Sequence, residues 1–409
     1  MSAGAGGAPD RHATPAELPR LRRLLLQLIN PAAAREAAGT PLTQAEWQQL
    51  DALAATHRLR PLLAWLHRAD PRIPVALRET WRAARRAGAA QALRAAGELR
   101  RVVALLAAEG HAPIALKGAW LAWHAYPEPA LRPMRDLDRR RPAGPGRAVF
   151  RGLAGQGCRS RGRGPLPAAE AARLSKHMPP LLAPSGVWIE VHQRLAEPPG
   201  RLDHRAPLAP LAGAAARAIT ADGIRYLEPT DLVAHLAIHA AYDHRLDCGP
   251  LLLTDMVYAV AASPIDWDRF WADAAREGWE RGARLVLQLA AQFAPDAPIV
   301  FPSGQAPPPA ALIALAPDLL LQDLDTRQSA GVLASTRLGG WRGLLARSLR
   351  MRARAGAAQP ARADFAVEGG YWAWATSRLA RTLRELSRGD VRRQSRRLAA
   401  LSGWLDQAS

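Results

Sequence analysis

The amino-acid sequence predicts a predominantly helical α+β protein, and three observations support this fold class. Apolar residues make up 49% of the chain, and long stretches rich in Ala, Leu and Arg are typical of helices. Two short apolar runs, Ala112–Leu116 and Val187–His192, have the length and composition of buried strands. After about Asp222 the helical pattern returns. With 409 residues, the chain is long enough for two or three packed units.

The part before the first strand reads as helical. Residues 1–14 have the composition of a disordered segment, and apolar residues then recur at helical spacing over residues 15–110. Gly110 is placed to end the last of these helices. We therefore predict a helical N-terminal region over residues 15–110.

Both strand candidates fall in residues 111–220, which we predict to be a compact α/β core. Lys117 and Gly118 follow the first strand, and prolines between 127 and 133 favour an extended connection. Helical patterns resume over 221–297, a Pro-rich break spans 298–309, and a basic helical region is predicted over 310–409. Its arginine and tryptophan spacing favours a packed amphipathic helix over a membrane-surface or nucleic-acid helix.

Composition limits the classes of partner and compartment. The formal net charge of +19 invites a nucleic-acid interpretation. However, Lys117 and Lys176 are the only lysines, and a GC-rich coding sequence gives such an arginine bias, so nucleic acid is a partner we do not favour. No apolar run approaches the roughly 18 residues of a membrane span, and the N-terminus lacks the pattern of a signal peptide. Two cysteines make no disulfide framework, so we expect a cytoplasmic protein.

Asp136 and Asp138 form the sequence feature with the clearest chemical meaning. Residues i and i+2 of a strand share a face, so two carboxylates would lie side by side there. Mg²⁺ prefers oxygen ligands and commonly takes one or two carboxylates together with substrate phosphates. Glu190 in the second strand fits as a third acid, and His192 would share its face. A D-x-D pattern alone is weak, as Asp266 and Asp268 show, since they open a predicted helix as capping residues.

The surroundings of the aspartates carry a family resemblance. The stretch Leu116-Lys117-Gly118, the Tyr126-Pro127 segment, and Arg132-Pro133-Met134 leading into Asp136-Leu137-Asp138 resemble the signature of the uncharacterised nucleotidyltransferase family related to the polymerase-beta superfamily. Trp188-Ile189-Glu190-Val191-His192 looks like the acid-x-His strand of that family, and Glu228–Leu236 like the helix that follows. Several motifs in the right order make the resemblance stronger than any one of them.

The resemblance implies a small mixed sheet with flanking helices that transfers a nucleotidyl group from an NTP with Mg²⁺ or Mn²⁺. Asp136 and Asp138 would be metal ligands, and Glu190 a third ligand or a general base. Gly118 would let the backbone approach the triphosphate, while Lys117 and Arg132 would neutralise phosphate charge. The acceptor is left open among a protein, a small molecule, a sugar and a nucleic acid.

The segment after Asp138 departs from the family pattern. Three consecutive arginines and a proline follow, and residues 139–169 contain no acidic residue. Three explanations compete: a decayed motif, a phosphate-binding arginine extension, or a reading-frame shift over residues 139–180, which we favour because the composition contradicts strand propensity. Two alternative functions therefore stay open, a catalytically impaired nucleotide-binding or scaffold protein and a basic nucleic-acid-binding helical protein.

Overall fold

The computed structural model describes residues 18–31, 42–134, 136–140, 146–160, 176, 178, 180–192, 194–195, 211, 213–322, 327, 329–340, 384–385 and 388–407. For residues 136–140, 146–149, 151 and 160 the description is confined to the backbone. The predicted disordered segment 1–14 and most of the basic stretch after Gly340 lie outside the described residues.

Helices dominate the N-terminal part of the chain, as predicted. Those before the first strand are α1 Leu18–Leu28, α2 Gln44–Thr56, α3 Arg60–Leu66 and α4 Val75–Ala108. A capping box begins α2, since the Thr43 hydroxyl accepts a hydrogen bond from the Glu46 amide and the Glu46 carboxylate accepts one from the Thr43 amide. The long helix α4 is followed by Gly110, which has the left-handed φ of 76° that helix-ending glycines adopt.

One mixed sheet lies between the helical regions, which confirms the predicted α+β class and the small mixed sheet. Its described strands are β1 Ile114–Ala115, β2 Asp136–Arg140, β3 Arg159–Ser160, β4 Leu181–Leu182, β5 Trp188–His192, β6 Ile219–Ala221 and β7 Ile224–Tyr226. They are ordered β3-β4-β5-β2-β1-β7-β6. Strand β2 pairs in parallel with β5 and antiparallel with β1, and β1 pairs in parallel with β7. The sheet thus continues to Tyr226, past residue 220 where we placed the end of the core.

Short helical pieces connect the central strands. Between β1 and β2 lie α5 Gly118–Trp120, a π-helical turn Leu121–Ala125 and a 3₁₀ turn Pro129–Leu131. Helix α6, Gly146–Gly155, leads from β2 toward β3. Strand β2 extends to Arg140, the last described residue before position 146. It therefore includes two of the three consecutive arginines, which are poor strand formers.

The two faces of β5 meet different surroundings. Ile189 and Val191 are buried in a small core with Leu153 of α6 and with Val102 and Leu106 of α4. Because successive residues of a strand point to opposite faces, Glu190 and His192 lie on the other face. Because of this alternation, Glu190 does not face the small apolar core that contains Ile189 and Val191.

Helices after β7 share one large core with β1, β7 and the N-terminal helices. They are α7 Pro229–Ile238, α8 Leu251–Ala262, α9 Trp267–Glu277, α10 Glu280–Phe293, α11 Ala310–Leu320 and α12 Gly389–Leu405. Asp266 caps α9 as predicted, by accepting a hydrogen bond from the Arg269 amide. Leu401 of α12 and Leu25 of α1 belong to the same large core. None of the helices in the described part of the chain combines the length and apolar character needed to cross a bilayer.

Candidate active site

The parallel pairing of β2 with β5 brings the predicted acidic positions together. In the register of these strands Asp138 lies opposite Glu190, Asp136 opposite Trp188 and Arg140 opposite His192. Directly opposed positions of neighbouring strands fall on the same face of a sheet, and so do positions i and i+2 of one strand. Positions 136, 138 and 190 therefore share one face, although the side chains of the two aspartates lie outside the described part.

Glu190 and His192 form the described portion of this face. Glu190 is 5% exposed and His192 is fully buried. The Glu190 Oε2 atom lies 3.7 Å from His192 Nε2. A carboxylate this deeply buried requires compensation by cations or hydrogen bonds, because desolvation disfavours its charged form.

The L-K-G turn ends β1 beside the acidic positions. Ala115 lies opposite Arg139 in the antiparallel β1–β2 pair, so the chain after β1 runs alongside positions 138 and 136. Lys117 has a φ of 43° and a ψ of −105°, and it is only 8% exposed. Such a backbone conformation is uncommon for a residue with a Cβ and costs on the order of 1–3 kcal/mol. The backbone at Lys117 is therefore locally strained, and its side chain is buried at this turn.

Arg132 and Gly118, which we predicted as phosphate contacts, lie against each other. The Arg132 guanidinium donates to both carboxylate oxygens of Asp255 on α8, at 3.0 and 2.9 Å. The Tyr126 hydroxyl donates to the same carboxylate at 2.7 Å. A Cβ on Gly118 would overlap the Nη1 atom of Arg132, so glycine is needed here for the arginine to lie where it does. The phosphate roles of Arg132 and Gly118 stay predictions.

A second buried cation, Lys176, was not singled out by the sequence analysis. Its ammonium lies 2.5 Å from Asp243 Oδ2 and 3.2 Å from His239 Nδ1, both in the π-helical turn His239–Asp243 that follows α7. The sequence feature that could have identified Lys176 is the rarity of lysine, since only two of the 55 lysine and arginine residues are lysines. It was obscured because it lies within the arginine- and glycine-rich stretch suspected of a frame shift.

His235 lies one helical turn before His239, with the ring centroids 6.3 Å apart. It is fully buried, and neither ring nitrogen has a hydrogen-bond partner in the part of the chain that the structure describes. Burial first, and then the positive charges of Lys117 and Lys176, hold the pKa of His235 well below its ordinary value. Burial and the same two lysines lower the pKa of His239 to about 3. Both imidazoles are therefore neutral at physiological pH.

These neutral histidines predict a loss of stability in mild acid. As the pH falls below the ordinary histidine pKa of about 6.5, the unfolded chain protonates its histidines while folded His235 stays neutral, so the unfolded state binds more protons. Each such histidine lowers the free energy of unfolding by about 1.4 kcal/mol per pH unit in this window. Urea unfolding of wild type and His235→Leu at pH 6.5 and 5.0 should give a smaller pH dependence for the variant. An equal dependence in both would contradict this assignment.

No three or more His, Cys, Asp or Glu residues come together in a metal-binding arrangement among those whose side chains the structure describes. This finding does not extend to sets that include Asp136 or Asp138, which lie outside that description. The two described cysteines, Cys158 and Cys248, are free thiols, in agreement with the prediction that they form no disulfide framework.

Comparison with known protein families gives a match over the central part of the chain. No curated protein and no solved structure matches the chain. The family model described as uncharacterised nucleotidyltransferase matches residues 43–295, which is more than half of the chain. The matched range contains the L-K-G turn, β2, β5 and α7, the elements around the candidate site. The chain therefore belongs to the uncharacterised nucleotidyltransferase family.

Proposed function

We propose that this protein transfers a nucleotidyl group from an NTP to an acceptor, at a metal-carboxylate site formed by Asp136, Asp138 and Glu190. The observation that carries the proposal is the register of β2 with β5, which aligns Asp138 with Glu190 on adjacent strands. Family membership supports the general class of reaction. The acceptor, the nucleotide base and the metal are parts of the proposal.

The donor set suits Mg²⁺ or Mn²⁺. Three carboxylates offer the hard oxygen ligands that these ions prefer, and the sheet face holds their backbone positions close together. Asp136, Asp138 and Glu190 would hold the metal, which when bound supplies charge stabilisation to the reacting phosphoryl group. The alternative for Glu190 is to accept the proton of the attacking acceptor hydroxyl as a general base.

Two other residues of the site, Lys117 and Arg132, would neutralise phosphate charge or hold the chain in position. Lys117, held at the end of β1 beside the acidic positions, would offset negative charge on the phosphates. In the reaction the acceptor oxygen attacks the α-phosphorus, its proton passes to a base, and pyrophosphate leaves with the bonding electron pair. Arg132 is already paired with Asp255, so we assign it first to holding the segment before β2 and second to phosphate.

A binding measurement tests this proposal. We expect each NTP that binds wild type to do so in a Mg²⁺- or Mn²⁺-dependent manner, and Asp136→Asn/Asp138→Asn to lose this dependence, because the amides bring no negative charge to the metal. Isothermal titration with and without metal measures it. The matched control Asp266→Asn/Asp268→Asn changes a D-x-D pair at the start of α9 and should bind as wild type does.

Three other results would each redirect the interpretation. Wild type that binds no nucleotide, or a double variant that binds as well as wild type, would contradict the proposed site. Nucleotide binding without any pyrophosphate release, over a panel of acceptors, would favour a catalytically impaired nucleotide-binding protein. Salt-dependent RNA or DNA binding that survives in the double variant would favour a basic nucleic-acid-binding protein instead.

A further inference from the structure

The two lysines of the chain lie around the same pair of histidines, although they are 59 positions apart in sequence. Lys117 is 8% exposed and Lys176 is 5% exposed. Lysine is among the residues least often buried, and burying its charge is costly unless it is compensated. The charges of both ammoniums act on His235 and on His239. A chain that otherwise uses arginine for its cations has thus kept both lysines in one buried neighbourhood.

Backbone hydrogen bonds place Lys176 next to the candidate active site. The Arg194 amide donates to the Lys176 carbonyl at 3.2 Å, and the Met178 amide donates to the Val191 carbonyl at 2.9 Å. Lys176 therefore runs beside the end of β5, at the level of His192. From there its ammonium reaches Asp243 and His239 in the turn after α7. Lys176 thus links the chain beside β5 to the π-helical turn that follows α7.

His235 adds to the same neighbourhood a polar group that has no hydrogen-bond partner among the described residues. A fully buried imidazole in this state destabilises the fold, and an apolar side chain would avoid that cost. A neutral imidazole carries one N–H donor and one acceptor nitrogen. An oxyanion brought between the two ammoniums would accept from that N–H and gain charge-assisted hydrogen bonds from the lysines.

We propose that Lys176 and His235, together with Lys117, form the subsite for the polyphosphate tail of the nucleotide. This inference rests on the proposed function and assigns Lys176 and His235 a direct contact with phosphate oxygens. An ammonium has three N–H donors, so Lys176 can hold the Asp243 carboxylate and a phosphate oxygen together.

The first test uses inorganic tripolyphosphate and wild-type protein. Because the chain has two lysines, an amine-reactive reagent followed by peptide mass spectrometry reports on Lys117 and Lys176 separately. We expect tripolyphosphate with Mg²⁺ to slow the labelling of both lysines at least fivefold, while the α-amino group is labelled at an unchanged rate. Labelling of Lys176 that is unaffected by saturating tripolyphosphate would overturn the proposal.

The second test separates phosphate contact from simple neutralisation of Asp243. The double variant Lys176→Met/Asp243→Asn removes both charges, so no buried charge is left unpaired. We expect it to bind tripolyphosphate about tenfold more weakly than wild type. Arg72→Met/Asp70→Asn removes an exposed pair of the same charges, with a 2.7 Å contact, and should bind normally. Wild-type affinity in Lys176→Met/Asp243→Asn would show that the ammonium serves Asp243 alone.

A further variant addresses His235. His235→Leu should weaken tripolyphosphate binding severalfold without lowering the thermal midpoint, because its ring makes no hydrogen bond to any described residue. His67→Leu is a matched buried control, because its ring bonds to the Leu28 carbonyl at 2.7 Å; it should lose stability and keep its affinity. Normal tripolyphosphate binding by His235→Leu would remove this residue from the subsite. Metal-dependent NTP binding that Asp136→Asn/Asp138→Asn loses would still support the proposed function after such a result.

Discussion

Glu190→Gln is expected to weaken Mn²⁺ binding by at least tenfold, the largest effect we expect from any one substitution at the site. Glutamine has nearly the shape of glutamate and keeps one oxygen acceptor, so packing changes little while one negative charge is lost. Mn²⁺ binding can be followed by the paramagnetic resonance signal of the free ion, which requires no acceptor substrate. Pyrophosphate release from the NTP is expected to fall by a larger factor, because the metal and the reacting phosphate both lose the interaction.

Glu98→Gln is the matched control for this experiment. Glu98 is also 5% exposed, but it lies on α4, where it pairs with Arg101 at 2.6 Å and accepts a hydrogen bond from Ser185 at 2.8 Å. Its substitution should lower stability and leave Mn²⁺ affinity unchanged. If Glu190→Gln binds Mn²⁺ as wild type does but releases no pyrophosphate, the general-base role is the correct one. Unchanged binding and unchanged release would exclude Glu190 from the site.

Asp255→Ala is expected to lower the free energy of unfolding by about 3–5 kcal/mol, because it removes one partner of a buried ion pair. Asp255 is 5% exposed and accepts from Arg132 and Tyr126. Without it, the largely buried Arg132 guanidinium loses its paired carboxylate, and the buried Tyr126 hydroxyl keeps only the Thr254 hydroxyl of its two described partners. Urea unfolding at pH 7 measures the change, and Asp296→Ala, at an exposed position, should change stability by no more than about 0.5 kcal/mol.

The double variant Arg132→Met/Asp255→Leu distinguishes the charge from the packing at this position. Replacing both partners of a buried pair by apolar residues of similar volume is often neutral or stabilising. We expect this variant to recover most of the stability that Asp255→Ala loses. A double variant as unstable as Asp255→Ala would mean that the pair stabilises the fold through more than mutual neutralisation.

The local pattern of the sequence was enough to predict the flanking helices, β1 and β5, whereas the strand at Asp136 and Asp138 was expected from the family resemblance. Helical periodicity predicted the long helices on either side of the sheet, because an amphipathic helix needs a regularly spaced apolar face. The β-branched run around Glu190 predicted β5, since such residues fit a half-buried pleated strand. The order of the motifs pointed to the nucleotidyltransferase family, and the family comparison confirmed it.

The tertiary structure alone decided which of these residues meet. Strand pairing is non-local, and no spacing rule predicts that β2 lies parallel to β5 with Asp138 opposite Glu190. The same holds for Arg132, whose partner Asp255 lies 123 positions away, and for Lys176, which meets Asp243 on a separate helical turn. Sequence composition does not distinguish one arginine from another. In the structure, burial and the ion pair with Asp255 distinguish Arg132 from the arginines on the surface. The sequence by itself was enough to predict the main helices, the strands around Ile114 and Glu190, and the family. The electrostatic environment of the candidate site was decided by the tertiary structure, because burial and ion pairing depend on contacts between distant parts of the chain.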